Sequence, residues 1–106
     1  MKTITLTLKE SDKKAWIAIV SRINFTDVAR RYMLDPVVIL TIWAPLQKFA
    51  QKLGTAQSKF TLDVSTAASI FMVMNSMEIE SYVSILPQVQ KIENYLVNIY
   101  SNLEVC

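Results

Sequence analysis

The sequence predicts a mostly helical α+β domain, with two short paired β-strands packed against five or six helices. Three observations lead there. Two segments, about 3–8 and 60–64, alternate apolar and polar residues with the period of a half-buried strand. Between and after them, apolar residues return every three or four positions, the spacing of amphipathic helices. Finally, one glycine and three prolines interrupt 106 residues that are 52% hydrophobic, enough apolar area to offset the ordering entropy of one core.

The first strand is Thr3-Ile4-Thr5-Leu6-Thr7-Leu8, with Ile4, Leu6 and Leu8 toward a core and the threonines outward. Ser11 is the expected N-cap of a helix over 11–23, where Trp16, Ile19, Val20 and Ile23 form a stripe and Lys13 and Lys14 lie off it. Asn24-Phe25 reads as a turn. Thr26 is the expected cap of a short helix carrying Val28, Ala29 and Tyr32 inward and Arg30 and Arg31 outward. Asp35-Pro36 restarts the chain as a capping residue followed by proline at the first helical position. The run Val37 to Ala44 is apolar almost all round, and Pro45 is expected to kink or divide the helix because it lacks a backbone donor. Leu46, Phe49, Ala50 and Leu53 continue the stripe, with Lys48 and Lys52 outside it and Gly54 suited to the C′ position.

Phe60 to Val64 repeats the strand pattern. Ser65 or Thr66 is the expected cap of a buried helix over 66–77. Residues 78–86 read as helix, with a third strand as the alternative. Pro87 opens a last helix, over 87–104, in which Val89, Ile92, Leu96, Ile99 and Leu103 step by three and four. The whole, 1–106, reads as a single domain. An alternative organisation is two β-α-α units, about 3–34 and 59–86, followed by that helix.

Charge is divided along the chain. Residues 1–59 carry ten positive and four negative side chains, a formal +6, and residues 60–106 carry one and five, a formal −4. Such a split marks a basic surface for an acidic partner, or two faces that attract each other. The absences narrow the chemistry. Without histidine there is no Ser-His-Asp or Cys-His arrangement and no His-based metal site. With Gly54 as the lone glycine there is no phosphate-binding glycine loop. The carboxylates are scattered, and Glu78 and Glu80 fall on different faces of a helix. No enzymatic activity, cofactor or metal is expected. No apolar run reaches the length of a membrane span, and the alternating Met1 to Leu6 lacks a signal-peptide core. Cys106, the single cysteine, has no internal disulfide partner. The expected setting is cytoplasmic, away from membranes.

Residues 3–34, a short strand followed by a helix, a turn and a second helix opening at Thr26, resemble the ribbon-helix-helix DNA-binding family. In that family two strands pair across a dimer and enter the major groove. The resemblance implies that Thr3, Thr5 and Thr7 face bases, that Lys2 and Lys9 neutralise nearby phosphates, and that the backbone at Thr26 and Asp27 holds a phosphate. Arg30 and Arg31 belong to the same set of cations. Val28 to Ile39 also resembles a helix-turn-helix, with Val28, Ala29, Leu34, Ile39 and Ile42 as packing residues and Met33 at the turn's glycine position. Its outward face would show Asp35, Pro36, Val37, Leu40 and Thr41. With no cation there, it reads as a core or interface helix.

Trp16 and Trp43 lie on apolar stripes and are expected to anchor packing rather than stack on bases. Met72, Met74 and Met77 are expected to fill the core. The functional expectation is a non-catalytic interaction protein that acts by protein–protein binding and self-associates as a homo-oligomer. Val37, Val38, Leu40 and Trp43 are its candidate anchors. The alternative is a small DNA-binding regulator of ribbon-helix-helix type.

Overall fold

The computed structural model describes residues 3–33 and 35–103. Lys2, Leu34 and Cys106, all named above, lie outside them. The element order is β1 (Ile4–Thr7), α1 (Glu10–Val20), α2 (Phe25–Tyr32), α3 (Pro36–Leu53), β2 (Lys59–Leu62), α4 (Val64–Asn75), the single-turn α5 (Ile79–Tyr82), a 3₁₀ turn (Val83–Ile85) and α6 (Leu86–Ser101). This is the mostly helical α+β architecture that the pattern predicts.

The two strands pair with each other, antiparallel, with Ile4 opposite Leu62 and Thr7 opposite Lys59. Ile4, Leu6, Leu8, Phe60 and Leu62 turn inward, and Thr3, Thr5, Thr7, Lys59 and Thr61 outward. Two isolated strands are marginal in water, and here the apolar face is sealed by helices. Phe60 meets Phe49 of α3 edge-to-face at 5.8 Å, and Phe49 meets Trp16 of α1 in the same way at 5.4 Å. The core continues through Ala67, Ile70, Val73 and Met74 of α4, then Ile85 and Ile92. Trp16 is fully enclosed with its indole N–H unpaired. Its apolar packing offsets that cost.

Several boundaries differ from expectation, each for a local reason. The N-cap of α1 is Lys9 rather than Ser11, with the Lys9 backbone N–H donating to Asp12 Oδ2 at 3.2 Å. In α2 the cap is Asn24 rather than Thr26. The Asn24 side chain accepts from the N–H groups of Thr26 and Asp27, at 2.9 and 3.4 Å. In α4 it is Asp63, accepting from Thr66 N–H at 2.8 Å, so Val64 is helical rather than a strand residue. That bond, with a further contribution from Lys48, holds the Asp63 carboxyl below its ordinary value.

Pro45 does not divide α3, which runs unbroken from Pro36 to Leu53. Ile42 before it and Leu46, Phe49 and Leu53 after it are all buried, so packing holds both sides against one core. Residues 79–86 are helical turns behind an extended Glu78, not a third strand. Gly54 ends α3 with an ordinary right-handed φ of −81°. The left-handed conformation occurs instead at Met33, φ 54° and ψ 45°, which closes α2 at the position where the helix-turn-helix pattern has glycine.

Candidate functional site

The first half of α3 presents the predicted anchors to solvent. Asp35 starts the helix, its Oδ1 accepting from Val38 N–H at 3.0 Å, and Pro36 occupies the first turn, where a missing donor costs nothing. From there a run that is apolar almost all round meets the core along one side only. Ile42 is buried and Ile39 is half-buried against the core. Val37, Leu40 and Trp43 remain 70%, 62% and 44% exposed, and Val38 lies at the margin of exposure. Helical spacing aligns Val37, Leu40 and Ala44 along one outward line with Trp43 beside it. Met33, 92% exposed, precedes them on the connection from α2.

Trp43 therefore departs from the core role its stripe suggested. Trp16 fulfils that role, while Trp43 stands on the surface. The methionines of α4 follow expectation: Met74 is fully enclosed, and Met72 and Met77 pack half-buried against the core. The helix-turn-helix packing residues also behave as such, with Val28 and Ile42 buried and Ala29 and Ile39 half-buried. The outward face of that motif-like segment carries Asp35, Pro36, Val37, Leu40 and Thr41, all exposed.

A shallow apolar recess of about 410 Å³ lies between α1 and α3. Ile17, Val20 and Phe25 line it together with Gln47 and Ala50. Gln47 and Ala50 are four and seven residues beyond Trp43, on the same side of α3. The patch on the first half of the helix thus runs into a concave apolar surface. No sequence signal marked Ile17 as exposed, because its position on α1 is apolar like its buried neighbours.

The candidate nucleic-acid residues fall into two groups. Thr3, Thr5 and Thr7 occupy the open face of the ribbon, joined by Lys59 and Thr61, with Thr5 Oγ1 3.4 Å from Thr61 Oγ1. Lys9 is exposed just beyond β1. Arg30 and Arg31 are exposed on α2, but at the other end of α4. Arg31 lines a recess with Asn75 and Ser76, whereas the ribbon enters α4 at Asp63. That helix rises about 18 Å from end to end, so the arginines do not flank the ribbon. The Thr26 and Asp27 amides are already taken by Asn24.

Lys13, placed off the apolar stripe of α1 in sequence, is 97% buried at 3% exposure. Its Nζ donates to Thr55 O at 2.6 Å and pairs with Glu10 at 3.2 Å. It is a structural tie, not a surface cation.

Among the described residues no three Asp, Glu, Cys or His side chains gather as a metal site, and no helix is long and apolar enough to cross a membrane. No family model, curated protein or solved structure matches the chain.

Proposed function

We propose that this is a non-catalytic interaction protein that binds protein surfaces, a second copy of itself first among them, through the first half of α3. The observation that carries the reading is the outward row of Val37 and Leu40 with Trp43 beside it, on a helix whose opposite side is anchored in the core. A rigid helix presents these side chains at little ordering cost, and covering a Val or Leu contributes roughly 1.5–3 kcal/mol when burial is complete. An aromatic residue beside aliphatic ones is the usual make-up of an interface centre. At the rim exposed Arg31 and Arg30, the latter 3.8 Å from Asp27, stand beside exposed Asp35, so charges of both signs are present to orient a second copy. A cytoplasmic setting accords with this reading, since these 106 residues rely on no disulfide.

Sedimentation velocity from micromolar to millimolar protein tests it. Reversible association is expected, and Leu40→Asp should shift the protein to monomer without lowering the melting temperature of dilute, monomeric protein. A monomer at every concentration, unaffected by Leu40→Asp, overturns self-association.

A second reading rests on the open ribbon face of Thr5, Thr7, Lys59 and Thr61, which has the form of a β-ribbon that enters a major groove. Its two strands come from one chain, so no dimer is needed to build it. Fluorescence anisotropy on random-sequence duplex DNA at low and near-physiological salt tests this reading. Affinity falling steeply with salt supports it. Absence of binding at low salt removes it.

A further inference from the structure

The strand ladder leaves backbone groups unused along one edge. Leu8 N–H donates to Ser58 O at 2.8 Å, one step beyond the Thr7–Lys59 pair. In an antiparallel ladder, hydrogen-bonded pairs alternate with non-bonded ones. The bonded pairs are therefore Leu6 with Phe60 and Ile4 with Leu62. The backbone groups of Thr5, Thr7, Lys59 and Thr61 turn to the outer edges. Two of those outward carbonyls are met by side chains: Lys91 Nζ donates to Thr5 O at 2.9 Å, and Gln57 Nε2 donates to Lys59 O. Thr61, in the middle of the β2 edge, has no such partner for its N–H or C=O among the described residues.

This edge opens onto a cleft of about 400 Å³ between β2 and the second half of α3. Pro45, Phe49 and Phe60 supply its apolar floor, and Lys48 and Lys52 line the α3 side. Neither lysine forms an ion pair among the described residues. Asp63 stands at one end, its carboxylate engaged by Thr66 N–H and favoured to a smaller extent by the charge of Lys48.

We propose that this edge captures an extended acidic segment of a partner protein as a third strand beside β2. The Thr61 backbone supplies the central pair of main-chain hydrogen bonds. Lys48 and Lys52 are one helical turn apart, a rise of about 6 Å. Alternate residues of a strand are about 6.7 Å apart, so acidic side chains at positions i and i+2 reach successive lysines. The intervening side chains turn to the opposite, open face beside Thr61, where β-branched residues pair well across strands. Charge selects this occupant over a second copy of β2, which would bring its own Lys59 against the first and leave Lys48 and Lys52 of both copies unneutralised.

The probe is a fluorescein-labelled heptapeptide alternating Glu and Val, followed by anisotropy at low salt, with a Lys/Val heptapeptide as control. The acidic peptide should bind and the basic one should not. Thr61→Pro removes the outward N–H but leaves the bonds to β1 intact, because residues 60 and 62 make them. It should weaken binding about tenfold. Thr61→Val removes only the hydroxyl and should bind like the wild type. Lys48→Glu combined with Lys52→Glu should abolish binding. Circular dichroism establishes that each variant is folded. If Thr61→Pro does not fold, the Thr61 amide resonance of ¹⁵N-labelled wild-type protein is the readout, and it should move on peptide addition. Leu40→Asp should leave peptide binding unchanged, which separates this edge from the outward face of α3. The proposal is overturned by no binding of the acidic peptide, by unchanged affinity in a folded Thr61→Pro, or by a Thr61 resonance that does not move. It is also overturned if random duplex DNA binds through the same lysines and displaces the peptide with no dependence on the Thr61 N–H. In that case the lysines track phosphates.

Discussion

Residues 36–44 and residues 45–53 belong to one helix, yet they dispose their apolar side chains in opposite ways. In the second part Leu46, Phe49 and Leu53 all enter the core, and Lys48, Gln51 and Lys52 cover the outside. In the first part only Ile42 is buried, while Val37, Leu40 and Trp43 face solvent. Composition alone does not separate a core stripe from a docking stripe. What separates them is coverage. The second part lies under the β-sheet and α1, where Phe49 bridges Trp16 and Phe60. The first part is apolar almost all round, Thr41 excepted, so most of its far side stays apolar whatever covers its near side.

The largest test of this contrast is a pair of truncations. Phe49→Ala removes the ring between Trp16 and Phe60 and should cost about 3–4 kcal/mol of stability, read by urea denaturation. Leu40→Ala should stay within about 0.5 kcal/mol of the wild type in dilute protein. Equal losses at the two positions would mean that the first part of the helix is covered after all.

Next in size is the tie that fixes the end of the buried part. Lys13 Nζ holds Thr55 O, just past Leu53, at 2.6 Å. Its pair with Glu10 adds little, because the Glu10 side chain is 78% exposed. Lys13→Ala leaves the Thr55 carbonyl without this donor and removes the packing of the lysine stem. A loss of about 2 kcal/mol is expected. Glu10→Ala should change stability by less than about 0.5 kcal/mol. The two single variants, compared by thermal unfolding, establish which partner of Lys13 matters.

These contrasts also mark what could be read in the sequence. The strands were legible because strict alternation marks Ile4 to Thr7 and Phe60 to Leu62, although the same alternation carried on through Asp63 to Val64, which belong to the start of α4. The start of α3 was legible because Asp35-Pro36 combines a cap with a residue suited only to the first turn. The exposed anchors at Val37 and Leu40 were legible as a surplus, since a run that is apolar almost all round exceeds what one core contact can bury, whereas the stripe of Trp43 pointed to the core. The caps were less so. Asp63, Ser65 and Thr66 are all competent N-caps within four residues, and only the backbone geometry selects Asp63. The burial of Lys13 depends on a carbonyl 42 positions away, so no local pattern reports it. Pro45 was misleading because helix propensity counts the missing donor but not the four core side chains on either side of it.

The turn before α3 carries a smaller effect. Met33 holds a left-handed φ of 54°, a conformation that costs a residue with a Cβ about 1 kcal/mol. Met33→Gly should raise stability by about that amount, offset in part by the greater freedom of glycine in the unfolded chain. Because Met33 is 92% exposed, no core packing is lost. If Met33 belongs to the docking surface, the same substitution weakens association while raising the melting temperature. Opposite signs in the two measurements would assign its strained conformation to the partner face.

The far end of α3 supplies the smallest and cleanest counterpart. The chain's lone glycine, Gly54, sits at φ −81°, where any residue fits, and a Cβ there would meet only Gln51 O, at an ordinary 3.6 Å. Its conformational freedom is unused in the folded state and costs entropy on folding. Gly54→Ala should therefore stabilise the protein by about 0.5 kcal/mol, seen as a higher denaturation midpoint at an unchanged slope. Because Gly54 adjoins the buried part of the helix, association should not change. The helix is thus adjustable at both ends for different reasons: one substitution relieves folded-state strain beside the exposed part, and the other restricts the unfolded chain beside the buried part. A destabilising Gly54→Ala would show that the connection to β2 needs a backbone conformation other than the right-handed one.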